Sequence, residues 1–218
     1  MTVWTSKQTE ARQSVDTTLQ VVDDLLSFMS TGKGKPSKKE RAIFAAAIVF
    51  SYGVWESYVE ELAIELSTKV SEAIDASRVP DNGRKFLEES SPWELNVHPG
   101  WRALWVKRVT ATAKGEGESY GLNTAKIKQV SILLKTAGVG DVFNIIPAKI
   151  IPPHLSGQAK TAASAVDELV KLRGEIVHSG SVPDSLQKHH AREWRQFVED
   201  LVTEVDQACR LSCASLLA

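Results

Sequence analysis

Apolar residues along this chain recur mostly at steps of three and four, the spacing that lines one face of an α-helix. Val15, Leu19, Val22, Leu26 and Met29 keep that step and predict a first helix over about 5–30. Ile48, Tyr52, Trp55, Val59, Leu62, Leu66, Val70 and Ile74 keep it for longer and predict a helix over about 37–76. Ser37 with Glu40 three residues later is a capping-box pattern, which marks where that helix begins. The stripe Ala162, Val166, Leu169, Leu172 and Ile176 predicts a third long helix from about 157, stopped by "HSGSVP". Trp194, Val198, Leu201, Val205 and Ala208 predict a last one over about 184–216.

Residues 78–158 read differently. Short segments alternate with "SSPWELNVHPG", "KGEGESYG", "AGVG" and "IIPPHLSG". Two modest helices are expected here, near 99–113 and 123–136, the second capped by Asn123. The stretch has too little apolar periodicity for a core of its own, so it reads as an insertion. No alternating run rich in Val, Ile and Thr predicts a sheet. The expected fold is all-α: one domain over 1–218, a bundle of four main helices with a partly helical insertion between the second and third.

Hydrophobic residues at 43% and charged residues at 24% suit a globule with a real core. No unbroken apolar run reaches the ~18 residues of a bilayer span. The start, "MTVWTSKQTEARQ", lacks the layout of a signal peptide, so a cytoplasmic location without a membrane partner is expected. The net charge of −1 means that any contact with nucleic acid must use a local basic patch. Two stretches qualify. Lys33, Lys35, Lys38 and Lys39 form a basic loop, which could touch RNA or simply be solvated. Arg102, Lys107 and Arg108 surround Trp101 and Trp105. Aromatics among cations can stack bases, and the same tryptophans can instead dock a helix on its core. Cys209 and Cys213 stand at i, i+4 and make neither a disulfide framework nor a zinc site. The histidines lack metal-site spacing, and "GEGESYG" follows no strand. No metal or cofactor is expected.

Candidate chemistry concentrates in "KLRGEIVHSG", Lys171 to Gly180. Histidine moves protons near neutrality, and arginine offers a planar fork to phosphate oxygens. Arg173 and His178 are five residues apart, which on an ideal helix is about 140° of rotation. They converge only if the helix end loosens, or across two copies of the chain. Gly174, Ser179, Gly180 and Pro183 favour an irregular end. The alternative is structural, since cations in a last helical turn are favourable with no further role.

The helical setting together with "LRGEIVH" resembles HEPN domains, whose ribonucleases carry an Arg-x4-6-His motif at this place in the chain. "FSYGVWESYVEEL", Phe50 to Leu62, resembles the Trp-Glu-x-Tyr segment in the second helix of the RiboL-PSP-HEPN branch. The resemblance covers the bundle and not the insertion. It implies an all-α homodimer whose composite cleft holds Arg173 and His178 from both copies. It implies a metal-independent endoribonuclease that leaves 2′,3′-cyclic phosphate and 5′-hydroxyl ends. It also implies toxin–antitoxin or anti-phage defence, often with a neutralising partner protein. Glu56, one turn after Tyr52, would orient Arg173 or His178 through a hydrogen bond; otherwise it is a solvated glutamate. Two positions depart from the pattern. Gly174 replaces the polar residue that often follows the motif arginine. Gly180 replaces the tyrosine that nucleotidyltransferase antitoxins modify. A non-catalytic HEPN-like module that binds RNA or protein, and a plain helical interaction protein, are the competing readings.

Overall fold

The computed structural model describes residues 7–30, 35–86, 100–115, 121–180 and 182–217. Helices in chain order are α1 (Glu10–Ser27), α2 (Lys38–Ala73), α3 (Asp81–Phe86), α4 (Trp101–Lys114), α5 (Ile127–Thr136), α6 (Ala162–Ser179) and α7 (Lys188–Leu217). Among the described residues there is no strand, and the fold is all-α. The long helices α1, α2, α6 and α7 follow the four apolar stripes. Helices α3 to α5 and a series of 3-10 turns lie between α2 and α6.

The central member is α2. It begins at the capping box: Glu40 N–H donates to the Ser37 hydroxyl at 3.2 Å, and Ser37 N–H donates to the Glu40 carboxylate at 2.8 Å. Along 36 residues it packs against α1, α4, α6 and α7, and Ile48, Trp55, Val59, Leu62 and Leu66 are fully enclosed. Its length and apolar composition would also suit a bilayer, but these side chains face the bundle. Asp206, buried on α7, accepts from the Thr9 hydroxyl and from Arg210 Nε, which pins the capped start of α1 to α7. Cys209 and Cys213 are free thiols in the same core, and burial pushes Cys213 up to about 12.

Within 78–158, the described residues Trp105, Val109, Val130 and Leu133 join the same core. Trp105 is wholly buried and donates to the Thr136 carbonyl at 2.6 Å, tying α4 to the end of α5. Trp101 stacks beside it at 6.1 Å. These tryptophans dock a helix rather than face solvent. Asn123 does not cap α5: that helix starts four residues later, after Lys126, with no side-chain cap. The cause is α2. Trp55 Nε1 donates to the Ala125 carbonyl at 3.0 Å, and Ala125 N–H donates to the Tyr52 hydroxyl at 2.9 Å. This two-point grip holds the backbone extended past Asn123.

The far end of the stretch is latched to α7. His154 N–H and Nδ1 both meet the Glu193 carboxylate, and the His154 ring stacks on His190 at 4.3 Å. Burial first, then the charges of His154 and His189, lower His190 from 6.5 to about 4; Glu193 pulls weakly the other way. The unfolded chain therefore binds more protons than the native one between those two values. Stability is expected to fall as pH drops through that window. Urea melts from pH 7 to pH 4 should show a smaller loss for His190→Gln than for the wild type.

Candidate functional site

Both motif residues sit on α6, and the helix does not loosen to bring them together. It stays regular through Ser179 and is closed by Gly180, which adopts the left-handed conformation at φ 61° and donates its N–H to Ile176 at 3.1 Å. The expected irregular end is therefore absent. Arg173 and His178 nevertheless line the same cleft, of about 740 Å³. The His178 ring reaches back along the helix past Gly174. A Cβ there would meet only His178 Cδ2, at 4.0 Å, so the imidazole lies back over the glycine and no side chain stands between the two motif residues. Ordinary van der Waals room at 4.0 Å accommodates one methyl. Gly174→Ala is expected to keep the cleft and to raise stability by up to about 1 kcal/mol, the helix-propensity gain. Thermal melting and a cleavage assay of that variant check it.

Tyr52 forms the floor. The Arg173 guanidinium carbon stands 5.2 Å from the Tyr52 ring centroid, a cation–π contact. Arg173 Nε is buried and has no hydrogen-bond partner among the described residues. Behind the ring, the Tyr52 hydroxyl donates to Glu56 Oε1 at 2.7 Å while accepting from Ala125. Burial raises both acids above their ordinary values. For Glu56, the Tyr52 hydrogen bond and the Arg173 charge only partly offset it. Glu56 does not hydrogen-bond Arg173 or His178 as expected. It holds the tyrosine on which Arg173 lies, and it acts on the arginine through charge.

The other wall comes from the insertion. Thr124, Lys126, Lys128 and Gln129 line it, placed there by the grip on Ala125. Lys171 and Asp167 complete the rim from α6. Lys126, Lys128 and Lys171 are exposed and, with Arg173, outweigh the single carboxylate of Asp167 in the lining. Sequence reading missed these three lysines because Lys126 and Lys128, in the insertion, are far along the chain from Lys171 on α6. It placed Tyr52 only in the core stripe, although the Arg-Tyr contact makes it part of the site.

The cations named from sequence lie elsewhere. Lys35, Lys38 and Lys39 are exposed around the start of α2. Lys39 is thirteen residues from Tyr52, roughly 20 Å along the axis. Lys33 falls outside the described residues. Arg102 caps the far end of α2: its Nε donates to the Ser71 carbonyl at 2.7 Å and a terminal nitrogen to Ile74 at 3.0 Å. Lys107 and Arg108 are on the same helix, and none of the three lines the cleft.

Fold and cleft together define an all-α domain that presents an arginine and a histidine from its penultimate helix in a lysine-rimmed groove. The family model described as RiboL-PSP-HEPN matches residues 17–210, and the chain belongs to that family. The match runs through the insertion as well as the bundle. No curated protein and no solved structure matches the chain. Family membership points to an RNA-related function.

Proposed function

We propose that this protein is a metal-independent endoribonuclease that acts as a homodimer. The observation that carries the reading is Arg173, held on the Tyr52 ring with an unpaired buried nitrogen, in one lysine-rimmed cleft with the exposed His178. A fixed guanidinium with unused donors is a phosphate receptor. Lys126, Lys128 and Lys171 hold the flanking backbone phosphates without reading sequence. One imidazole takes the proton of the 2′-hydroxyl, whose oxygen attacks phosphorus and forms the 2′,3′-cyclic phosphate. The leaving 5′-oxygen takes its proton from a second imidazole, and Arg173 stabilises charge on the phosphorane.

A single copy offers one His178. The second comes from a partner copy, and α2 has a surface for it. Ala42, Phe50, Gly53 and Ser57 form an exposed, mostly apolar stripe, and Val177 beside His178 is 47% exposed. Covering such a stripe drives association. The cellular setting we propose is toxin–antitoxin or anti-phage defence in the cytoplasm, with a partner protein that neutralises the nuclease. Gly180 offers no hydroxyl for modification, so that partner would act by binding.

The test is cleavage of mixed cellular RNA, tRNA included, in excess EDTA, with product ends mapped. Cyclic-phosphate ends from wild type but not from His178→Ala support the reading. A folded dimer that cuts none of these RNAs points instead to a binding module.

A further inference from the structure

A second cavity, of about 240 Å³, borders the face of α6 next to the one that lines the cleft. Its walls combine three aromatic side chains, His154, His190 and Trp194, with the carboxylates Glu168 and Glu175. Lys171 borders this cavity and the cleft alike. It is smaller than the ~300–1,000 Å³ of drug-sized sites and suits one flat ring system.

We infer that this cavity receives a guanine base of the RNA whose phosphate lies on Arg173, an inference that rests on the RNA-cleaving reading. His154 and His190 are stacked at 4.3 Å, and His154 is fixed through its main chain and ring to Glu193. Gln187 N–H donates to His190 Nδ1 at 3.2 Å, so the neutral ring carries its proton on Nε2 and offers a donor. A ring held uncharged is a stacking and hydrogen-bonding partner, not an anion receptor. Two carboxylates on the wall also repel phosphate. They accept hydrogen bonds only, so they select an edge rich in N–H donors. Guanine presents two adjacent donor groups on its pairing edge, at N1 and N2; each other base presents one. Trp194 Nε1 is buried, with the residue 1% exposed, and has no partner among the described residues. Because Lys171 belongs to both cavities, a strand crossing α6 there keeps its phosphates on the basic side and turns a base to the acidic one.

The test is NMR of the histidine ring protons in the full chain, titrated with guanosine, adenosine, cytidine and uridine 5′-monophosphates. Selective movement of the His154 and His190 signals by the guanine nucleotide is expected, with binding at least about tenfold tighter than for uridine. Glu168→Gln with Glu175→Gln should erase that preference, and His178→Ala should leave it intact. Equal shifts with all four nucleotides, or none at millimolar concentration, overturn the inference. A lysine-rich peptide moving these signals where nucleotides do not overturns it too. The two readings separate cleanly. Guanine binding by a chain that never cuts RNA keeps the cavity and removes the nuclease. Cleavage with no preference for guanine beside the cut removes the cavity and keeps the nuclease.

Discussion

His178→Ala is expected to lower RNA cleavage by about 10²–10⁴-fold, the range for loss of a positioned general acid or base. The imidazole is exposed and lies over Gly174, outside the core. Its removal should therefore change stability by no more than about 0.5 kcal/mol. That separation matters, because a lost rate with an unchanged urea midpoint assigns the effect to chemistry. Single-turnover cleavage of an end-labelled RNA in EDTA, at saturating enzyme, isolates the chemical step from binding. If each cleft draws one imidazole from each copy, mixing His178→Ala with an excess of Arg173→Ala chains should restore little activity. Each mixed cleft would still lack a group. A variant that cuts at the wild-type rate removes His178 from the reaction.

Arg173→Lys carries the second large effect, expected at about 10²–10³-fold, comparable with loss of a transition-state donor. Lysine keeps the charge but not the planar fork, and it cannot lie flat on the Tyr52 ring. A phosphate-positioning guanidinium predicts a fall in kcat with Lys and a deeper fall with Ala. A cation that merely helps bind RNA predicts a higher KM for Ala and near-normal behaviour for Lys. Stability should drop modestly in both, since the cation–π contact contributes about 0.5–2 kcal/mol. Wild-type kinetics in the Lys variant would exclude the bidentate role. Tyr52→Phe keeps the ring under Arg173 while removing the hydroxyl that bridges Glu56 and Ala125. It separates the arginine's own contribution from that of its support.

The long helices are legible from periodicity because each buries one continuous stripe. Val15 to Leu26 mark α1, and Trp194 to Ala208 mark α7, within a few residues at either end. Ser37 and Glu40 fix the start of α2 because a capping box is a contact between near neighbours. The short α3 went unseen: six residues carry too few apolar positions to show a period. Asn123 misled because a good local cap competes with two tertiary hydrogen bonds to Ala125, and the tertiary bonds win. The motif pair was visible as chemistry, but its convergence was not. An angle of 140° between Cα positions says nothing about a ring that reaches back along its own helix. Lys126, Lys128 and Lys171 escaped notice because a cleft gathers charges from distant segments, whereas the eye finds clusters such as Lys33 to Lys39.

The grip of Tyr52 and Trp55 on Ala125 also governs when the cleft comes into being. Its floor is made early in synthesis, one wall some 70 positions later, and the arginine and histidine later again. Closing those long loops is the slow part of folding, and none of it can start before the distant partners exist. A ribosome-bound or prematurely ended chain that stops short of α6 has neither motif residue. If the chain cuts RNA as proposed, no growing polypeptide can do so before α6 has been made and has packed against α2.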